Sequence, residues 1–297
     1  MDIKKRLPKI QENISLAEYT TIKIGGKARY FFKAENKEDL IKTIRVAKEF
    51  KLPFFILAGG SNILFSDKGY KGLVIKFQIS NFKIQDSNIY TEAGVKLDNL
   101  VKSAQKENLT GLEWAAGIPG TVGGAIYGNA QAFNVKMSDL VKEVEILDIK
   151  TLKIKNLSKN QCSFSLKNSI FKINKNLIII SAVLKIKKGN KKEIEEKIKE
   201  FLKYRKEKHP LNFPSAGSVF INPENSKGII HAGYLIEKCG LKGKKIGKAQ
   251  ISDKHANFIV NLKGAKSEDV LKLIKLTKQK VKEKFGILLK EEIQIIN

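Results

Sequence analysis

Apolar and polar positions repeat along this chain with periods that predict both helices and strands. Between Asn36 and Lys51 the apolar residues have helical spacing, and Asn36 is placed to cap the helix. A longer amphipathic pattern from Lys191 to Lys208 predicts a second helix. The buried face of this second helix is predicted to carry four apolar side chains: Ile194, Ile198, Phe201 and Leu202.

Runs rich in β-branched and aromatic residues predict strands between the helices. The runs are ARYFFKA, FFILAG, VKEVEILDI, LIIISAVLKIKK and, near the end of the chain, EEIQII. ILFSDKGYKGLVIKF predicts a hairpin-like pair, and VKLDNLVKSAQKEN predicts a helix. A last helix, EDVLKLIKLTKQKVKEKF, is predicted to be capped by Ser267 and ended by Gly286.

These elements predict an α+β protein rather than an alternating βαβ one, because helices and strands do not alternate regularly. With 297 residues the chain is long enough for two or three domains. Shifts in pattern, and a charged stretch around 187–192, predict three segments with bounds 1–78, 79–188 and 191–297.

Charge is the most unusual feature of the composition, at a formal net value of +26. Such a charge raises the hypothesis of a nucleic-acid or membrane-surface protein. Only four of the basic residues are arginine, the residue that nucleic-acid-binding proteins favour for bidentate contacts. The lysines lie among glutamates on the polar faces of predicted helices. We therefore expect a solvated lysine surface, with no nucleic-acid and no membrane partner.

The location predicted from the sequence is the cytoplasm. The chain has no apolar run long enough to span a bilayer, and its charged beginning lacks the apolar stretch of a secretory signal. Cys162 and Cys239 lie far apart without metal-ligand spacing, which fits reduced thiols and predicts no metal site.

Two glycine-rich segments are the candidate ligand loops. The first is AGGSN at 58–62, and the second is GIPGTVGG at 117–124, where Pro119 would stiffen the backbone. Backbone amides without a Cβ suit phosphate, so a pair of such loops favours a pyrophosphate ligand. Neither loop has the spacing of a Walker or dinucleotide fingerprint. Two tight turns that pack strands closely would produce the same pattern, and the local sequence leaves both interpretations open.

Six longer segments, taken in order from about Thr20 to Ile296, resemble the MurB family of UDP-N-acetylenolpyruvoylglucosamine reductases. They are TTIKIGGKARY, ILAGGSNILFSDKGYKGLVI, GLEWAAGIPGTVGGAIYGNA, PSAGSVFINP, AGYLIEKCGLKGKKIGKAQISDKHANFIVN and FGILLKEEIQII. The resemblance implies an FAD-binding fold of the vanillyl-alcohol-oxidase (PCMH) type. Segments 1–78 and 79–188 would be its two FAD-binding subdomains, and 191–297 an α+β substrate-binding domain.

The same resemblance implies a reaction and a cofactor site. NADPH would reduce FAD, and a hydride from flavin N5 would convert the enolpyruvyl ether of UDP-N-acetylglucosamine enolpyruvate to UDP-N-acetylmuramate, in peptidoglycan precursor synthesis. The residues expected at the cofactor come from both glycine-rich loops. They are Ala58, Gly59, Gly60, Ser61, Asn62, Gly117, Ile118, Pro119, Gly120, Thr121, Gly123 and Gly124.

The reaction needs a proton for the substrate carbon and stabilisation of the charge that develops on the carboxylate. Ser218 matches the family's proton donor, although a turn serine after Gly217 is the simpler structural interpretation. Glu292 matches the family's C-terminal glutamate. Glu291 is its alternative, because neighbouring strand residues point to opposite faces.

Lys167 stands where the family usually has the arginine that holds the substrate carboxylate, and Leu166 stands where tyrosine is usual. Lysine keeps the charge but loses the planar two-pronged donor. We expect Lys167 to do the work of that arginine. The alternatives are that another cation has taken over or that the activity is altered.

Asn222 and Gln250 resemble substrate-lining positions, whereas His255 and Tyr234 are expected to be structural. The chain resembles the shorter family type, without the extra tyrosine-bearing loop, and we expect a monomer. Two other functions stay open from the sequence. One is a different flavin oxidase or dehydrogenase of the same fold, and the other is a non-catalytic polyanion-binding descendant.

Overall fold

The computed structural model describes residues 2–225 and 228–297, apart from the side chain of Asn225. The chain forms two compact units, each built from separate stretches of sequence. The first unit comprises the residues up to Gln11, Tyr30–Gly59 and Gly72–Lys203, and the second comprises Glu12–Arg29, Gly60–Lys71 and Tyr204–Asn297. The division into three domains at 1–78, 79–188 and 191–297 stays a prediction.

Nine α-helices occur in the described part of the chain. They are α1 Ile3–Arg6, α2 Lys37–Glu49, α3 Leu97–Lys106, α4 Val122–Tyr127, α5 Met137–Leu140, α6 Ile170–Ile173, α7 Lys191–Lys208, α8 Ala232–Lys238 and α9 Ser267–Phe285. Short 3₁₀ turns at Leu16–Tyr19 and Glu113–Ala115 accompany them.

The strands are mostly short. The first half of the chain has β1 Gln11–Ser15, β2 Lys27–Ala34, β3 Phe54–Leu57, β4 Ile63–Phe65, β5 Tyr70–Phe77, β6 Phe82–Gln85, β7 Asn88–Glu92, β8 Leu109–Thr110, β9 Gln131–Ala132, β10 Val135–Lys136 and β11 Val141–Asp148. The second half has β12 Lys153–Ser158, β13 Leu177–Lys185, β14 Lys187–Lys188, β15 Ser215–Ser218, β16 Glu224–Asn225, β17 Gly228–Ile229, β18 Lys245–Ile246, β19 Ala249–Ile251, β20 Phe258–Asn261 and β21 Gln294–Ile296.

A five-stranded antiparallel sheet in the order β12-β11-β13-β7-β6 forms the centre of the first unit. Strands β3 and β5 of the same unit run parallel, with Phe54–Leu57 paired to Leu73–Lys76. The core of this unit is apolar, with Trp114 and Phe171 among its fully buried side chains. Helix α4 contacts β7 and β13, which places the second glycine-rich loop at the five-stranded sheet.

An antiparallel sheet in the order β15-β20-β19-β18 forms the second unit, with α9 packed on β18 and β19. Strand β21, near the chain's end, runs parallel to β4. A separate apolar core that includes Phe220, Leu273 and Leu289 holds these elements together. In this way β21 brings the C-terminal residues beside the segment that follows the first glycine-rich loop.

Most predicted elements are present, but three details differ. Residues 63–77 do not form a hairpin, because β4 pairs with β21 and β5 pairs with β3. Leu202 is 45% exposed, so it does not belong to the buried face of α7. Ser267 is the first residue of α9 rather than its cap, because Asp269 accepts the amide proton of Lys266 and the Ser267 hydroxyl donates to Asp67.

None of the described helices combines the length and the apolar character that crossing a membrane requires. Within residues 2–225 and 228–297, no cluster of His, Cys, Asp and Glu side chains is arranged to hold a metal ion.

Candidate active site

The first glycine-rich loop begins where β3 ends. Leu57 pairs in register with Lys76 of the parallel strand β5, and the Lys76 ammonium donates a hydrogen bond to the carbonyl of Ala58. Gly59 follows, and a Cβ on it would lie 2.8 Å from the Cα of Gly120. The two glycine-rich loops therefore touch, backbone to backbone, at a point where no side chain fits.

The second loop uses several of its amides inside the protein. The amide of Val122 donates to Val95 O at 2.9 Å, and that of Gly123 donates to Ala93 O at 2.8 Å. The hydroxyl of Thr121 accepts from the amide of Gly124 at 3.4 Å and caps α4. A Cβ on Gly123 would lie 2.7 Å from the Cβ of Ala93, so close packing against this residue, which follows β7, accounts for the glycine.

A smaller set of amides stays available for a ligand. In the described part of the chain, the amides of Gly117, Gly120 and Thr121 are paired with no acceptor. Gly117 and Gly120 have positive φ angles of 74° and 124°, which L side chains rarely adopt. The loop thus offers backbone N–H donors, two of them at residues where the positive φ favours glycine. This is the arrangement that a phosphate-bearing cofactor requires.

Gly60, Ser61 and Asn62, the rest of the first loop, belong to the second unit. The side-chain amide of Asn62 donates to Glu292 O at 3.0 Å, and the amide of Gln294 donates to Asn62 O at 3.0 Å. Gly60 has a φ of 65°, and a Cβ there would lie 2.0 Å from the carbonyl oxygen of Tyr19. Asn62 therefore ties its loop to the segment that contains Glu292 and leads into β21, a role that its motif alone did not indicate.

Ser218 lies at the end of β15, where a bulge disturbs the pairing with β20. Ser215 pairs with Val260 and Ser218 with Phe258, so an extra residue is accommodated between them, and Gly217 has a φ of 77°. The side chain of Asn257 brackets the backbone of Phe220 at 2.9 and 2.8 Å. These contacts fix the backbone on both sides of the half-buried Ser218.

Glu292 is held directly beside that segment. Its amide donates to Val219 O at 2.8 Å, and the amide of Ile221 donates to Lys290 O at 2.9 Å. The carboxylate of Glu291 is engaged elsewhere, because it pairs with the Lys278 ammonium at 2.8 Å. The structure therefore brings Glu292 and the residue after Ser218 together within the second unit, and it gives Glu291 a structural partner.

Lys167 lies at the tip of a tight turn in the first unit. Ser165 and Asn168 exchange backbone hydrogen bonds of 3.1 and 3.2 Å across the turn. Lys167 has a φ of 53°, and its carbonyl accepts a 2.6 Å hydrogen bond from the Lys172 ammonium. The side chain of this lysine is half-buried.

The turn is attached to the residues that follow the second glycine-rich loop. The buried side chain of Asn129 donates to Ser165 O at 2.9 Å and accepts from the amide of Ser138 at 3.0 Å. The hydroxyl of Ser169 donates to Tyr127 O at 2.7 Å. The position of Lys167 is therefore set relative to α4, within one unit.

The two remaining predicted site residues make local contacts in the second unit. The side chain of Asn222 accepts the amide proton of Ala232 at 2.9 Å, at the start of α8. Gln250 donates to Gly243 O at 3.3 Å and to the Asp253 carboxylate at 3.1 Å. Both side chains are therefore oriented by hydrogen bonds within the protein.

Two histidines pack against the strand that pairs with Ser218. The rings of His209 and His255 are 5.6 Å apart, edge to face, and both contact Phe258. Burial lowers the pKa of His209 to about 4, helped by His255 and the Arg205 guanidinium, and burial also lowers the pKa of His255. Both rings are therefore neutral at pH 7, which suits packing rather than proton transfer.

Sequence reasoning missed three polar residues that shape these sites: Lys76, Asn129 and Asn257. Lys76 is one of many lysines in this chain, and its local sequence carries no distinguishing signal. Both asparagines lie within the six segments that carry the family resemblance, but only the fold shows that their side-chain amides hold the backbone of other segments.

Comparison with known proteins agrees with the geometry. A family model described as "UDP-N-acetylenolpyruvoylglucosamine reductase, C-terminal domain" matches residues 209–296, and one described as "FAD binding domain" matches residues 28–157. The UDP-N-acetylenolpyruvoylglucosamine reductase of Caldicellulosiruptor bescii is 45% identical over 284 residues, which are 95% of this chain and 88% of that protein. Its counterpart from Caldanaerobacter subterraneus subsp. tengcongensis is 42% identical over 289 residues, 97% of this chain and 94% of that protein.

Solved structures extend the similarity to the fold. The crystal structure of UDP-N-acetylenolpyruvylglucosamine reductase (MurB) from Thermus caldophilus matches with a TM-score of 0.82 and 31% identity, over 97% of this chain and 100% of that one. The glucose dehydrogenase Phl p 4.0202 matches with a TM-score of 0.51 and 13% identity, over 63% of this chain and 43% of that one, which is a similarity of fold alone. The predicted fold class is confirmed. With this identity and coverage, the chain belongs to the MurB family of UDP-N-acetylenolpyruvoylglucosamine reductases, oxidoreductases with an FAD-binding domain.

Proposed function

We propose that this chain reduces UDP-N-acetylglucosamine enolpyruvate to UDP-N-acetylmuramate, with NADPH as reductant and FAD as cofactor. One NADPH and one proton are consumed for each lactyl ether formed. The observation that carries the proposal is the 2.8 Å hydrogen bond from the Glu292 amide to Val219 O, because it joins the two segments that bear the expected acid chemistry. The match of the C-terminal family model over residues 209–296 supports it.

The residues present fit an FAD diphosphate. Gly59 and Gly120 leave a contact that a Cβ would fill, and the amides of Gly117, Gly120 and Thr121 lack an acceptor in the described part of the chain. These residues, with Ala58, would hold the cofactor. When bound, FAD supplies the redox chemistry by accepting a hydride from NADPH and delivering it to the enolpyruvyl group.

Ser218 has the role of proton donor to the substrate carbon. A free serine hydroxyl is a weak acid, so its position must be fixed and nearby groups must assist it. The bulge in β15 and the amide of Asn257 hold the backbone on either side of Ser218. Glu292 would act with it at the substrate carboxyl group, since the other candidate, Glu291, is paired with Lys278.

Lys167 has the role of cation for the substrate carboxylate, which gains charge as the hydride arrives. An ammonium stabilises that charge electrostatically, but it offers no planar pair of donors. The anchoring of its turn by Asn129 and Ser169 supports this role, because a preorganised cation needs little rearrangement during the reaction.

Asn222 and Gln250 would contact the rest of the UDP-sugar. The enzyme would act in the cytoplasm as a monomer.

The test is a steady-state assay with product identification. The purified protein should oxidise NADPH only when UDP-N-acetylglucosamine enolpyruvate is present, and mass spectrometry should find a product two hydrogens heavier, with one product molecule per NADPH consumed. NADPH oxidation that depends on oxygen and not on this substrate would instead indicate a flavin oxidase. A protein that oxidises no NADPH after FAD has been supplied would refute the proposed activity.

A further inference from the structure

Two lysines of the first unit stand beside the contact between the glycine-rich loops. Lys76 lies on β5 between the buried residues Ile75 and Phe77, and its ammonium donates to the carbonyl of Ala58 in the first loop. Lys96 directly precedes α3 and forms an isolated antiparallel bridge with Thr121 of the second loop. Each loop therefore has one lysine attached to it.

The electrostatic environment of Lys76 is unfavourable for its charged form. Burial and the ammonium of Lys96 lower the pKa of Lys76 to about 8. Among the described residues, neither lysine forms an ion pair with a carboxylate, and the partner found for Lys76 is the neutral carbonyl of Ala58. A half-buried cation next to a like charge destabilises the protein unless a negative group compensates it.

The backbone around the two lysines offers donors of the kind that phosphate accepts. The amide of Leu97 donates to Gly120 O at 3.2 Å, and this hydrogen bond fixes the second loop against the start of α3. The amides of Gly120 and Thr121 lack an acceptor within residues 2–225 and 228–297. The first unit thus brings together the ammonium groups of Lys76 and Lys96, the amides of Gly120 and Thr121, and the glycine contact between the two loops.

We propose that Lys76 and Lys96 recognise the charge of the cofactor's diphosphate, so that the protein selects a flavin dinucleotide over a flavin without phosphate. This inference rests on the proposed FAD-dependent function. Each ammonium matches one of the two negative charges of the bridging diphosphate, and the loop amides supply directional hydrogen bonds. Lys76 keeps its contact with Ala58 until the anion provides a better partner.

The test measures cofactor binding rather than activity. Flavin is removed from the protein, and dissociation constants for FAD and riboflavin are measured by flavin fluorescence, with that for ADP measured by calorimetry. Lys76→Met and Lys96→Met should each weaken FAD and ADP binding about tenfold, the equivalent of about 1.4 kcal/mol, and leave riboflavin binding unchanged. Lys102→Met is the matched control, because Lys102 lies on the same α3 helix and pairs on the surface with Asp98.

The outcomes separate this inference from the proposed function. Equal weakening of FAD and riboflavin would show that the lysines are merely structural and would overturn the inference, as would unchanged FAD binding. A lysine with a structural role would also lower the melting temperature of the apoprotein, whereas removing the uncompensated Lys76 charge should maintain or raise it. If the wild-type protein binds ADP through these lysines but not FAD, the diphosphate site stands and the FAD-dependent function fails. If it binds neither, both fail.

Discussion

Gly59 and Gly120 meet backbone to backbone, so that a Cβ placed on Gly59 would lie 2.8 Å from the Cα of Gly120. Real Cβ atoms essentially never come so close to a neighbouring atom, and here that neighbour is backbone that cannot rotate away. The contact joins the two glycine-rich loops of the chain within one unit. The contact explains why the first loop has glycine at this point, and Gly120 has a φ of 124°, which itself favours glycine.

A substitution of Gly59 by alanine is expected to separate the loops. We predict that Gly59→Ala lowers the melting temperature and raises the dissociation constant for FAD by at least tenfold, because the donors of the second loop move. Thermal unfolding and flavin fluorescence measure the two effects.

The control for this substitution is Gly124→Ala. The nearest atom to a Cβ on Gly124 is the Thr121 hydroxyl oxygen at 3.7 Å, which is ordinary van der Waals contact. Because Gly124 is a helical residue, alanine there should stabilise the fold by about 0.5–1 kcal/mol. A Gly59→Ala protein as stable and as flavin-replete as the Gly124→Ala protein would contradict the described loop contact.

Ser218→Ala should impair proton transfer without affecting cofactor reduction. We expect the turnover rate to fall about 10²–10⁴-fold, the usual contribution of a positioned general acid. Stopped-flow reduction of bound FAD by NADPH should keep the wild-type rate. Ser215→Ala, at the other end of the same strand, is the control and should retain turnover, since the Ser215 backbone carbonyl that accepts a hydrogen bond from Thr21 is kept in alanine. Equal losses in both variants would indicate a damaged strand rather than a missing acid.

Glu292 and Glu291 form a matched pair of neighbours with different expected roles. Glu292→Gln should lower the rate of substrate reduction at least tenfold. Glu291→Gln should leave that rate intact and cost no more than about 1 kcal/mol of stability, because its ion pair with Lys278 is partly exposed. Denaturant unfolding and single-turnover kinetics distinguish the two. A reversal of these effects would reassign the acidic group to Glu291.

The role of Lys167 can be tested by removing its charge and, separately, by replacing it with arginine. Lys167→Met removes the charge and should reduce turnover at least a hundredfold, with a rise in the KM for the UDP-sugar. Lys167→Arg restores a planar two-pronged donor and should keep or increase turnover. Lys153→Met, a surface change on β12, serves as the control. Full activity of Lys167→Met would show that another cation holds the carboxylate.

Acid should destabilise the second unit through His209. The pKa of His209 is about 4 in the folded protein, below its ordinary value of 6.5, because the ring is buried beside His255 and Arg205. As the pH falls below 6.5 the unfolded chain takes up a proton that the folded chain does not, so stability present above pH 6.5 is lost towards pH 4. We expect a loss of about 1–2 kcal/mol between pH 7 and pH 5.

The variant that checks this assignment is His209→Phe, which keeps an aromatic ring but cannot take up a proton. Denaturant unfolding at several pH values should show a shallower loss of stability for His209→Phe than for the wild type. An identical slope in His209→Phe and the wild type would assign the acid sensitivity to other groups.

The sequence was most informative where local periodicity sets the structure. Asn36 caps α2 as predicted, and Gly286 ends α9 in the left-handed conformation. The pairing of strands that are distant in sequence could not be predicted from the local pattern. Residues 63–77 look like a hairpin, but β4 finds its partner in β21, more than two hundred residues away.

For the candidate site, motifs identified the glycine-rich loops but not the work of each residue. The cofactor contacts of Gly123 and Asn62 stay predictions, but the structure shows a further role for each residue. The amide of Gly123 bonds to Ala93, and close packing explains its missing side chain. The side chain of Asn62 bonds to the backbone of Glu292. Such roles depend on contacts between distant segments, and a single sequence contains no local signal for them.

The most direct test of the account is the visible absorption spectrum of the purified protein, followed without oxygen. We predict an oxidised-flavin spectrum that bleaches when NADPH is added and returns when UDP-N-acetylglucosamine enolpyruvate follows. Flavin that bleaches but does not return would contradict the assigned substrate chemistry of Ser218, Glu292 and Lys167. A protein that shows no flavin, even after FAD is supplied, would contradict the proposed function as a whole.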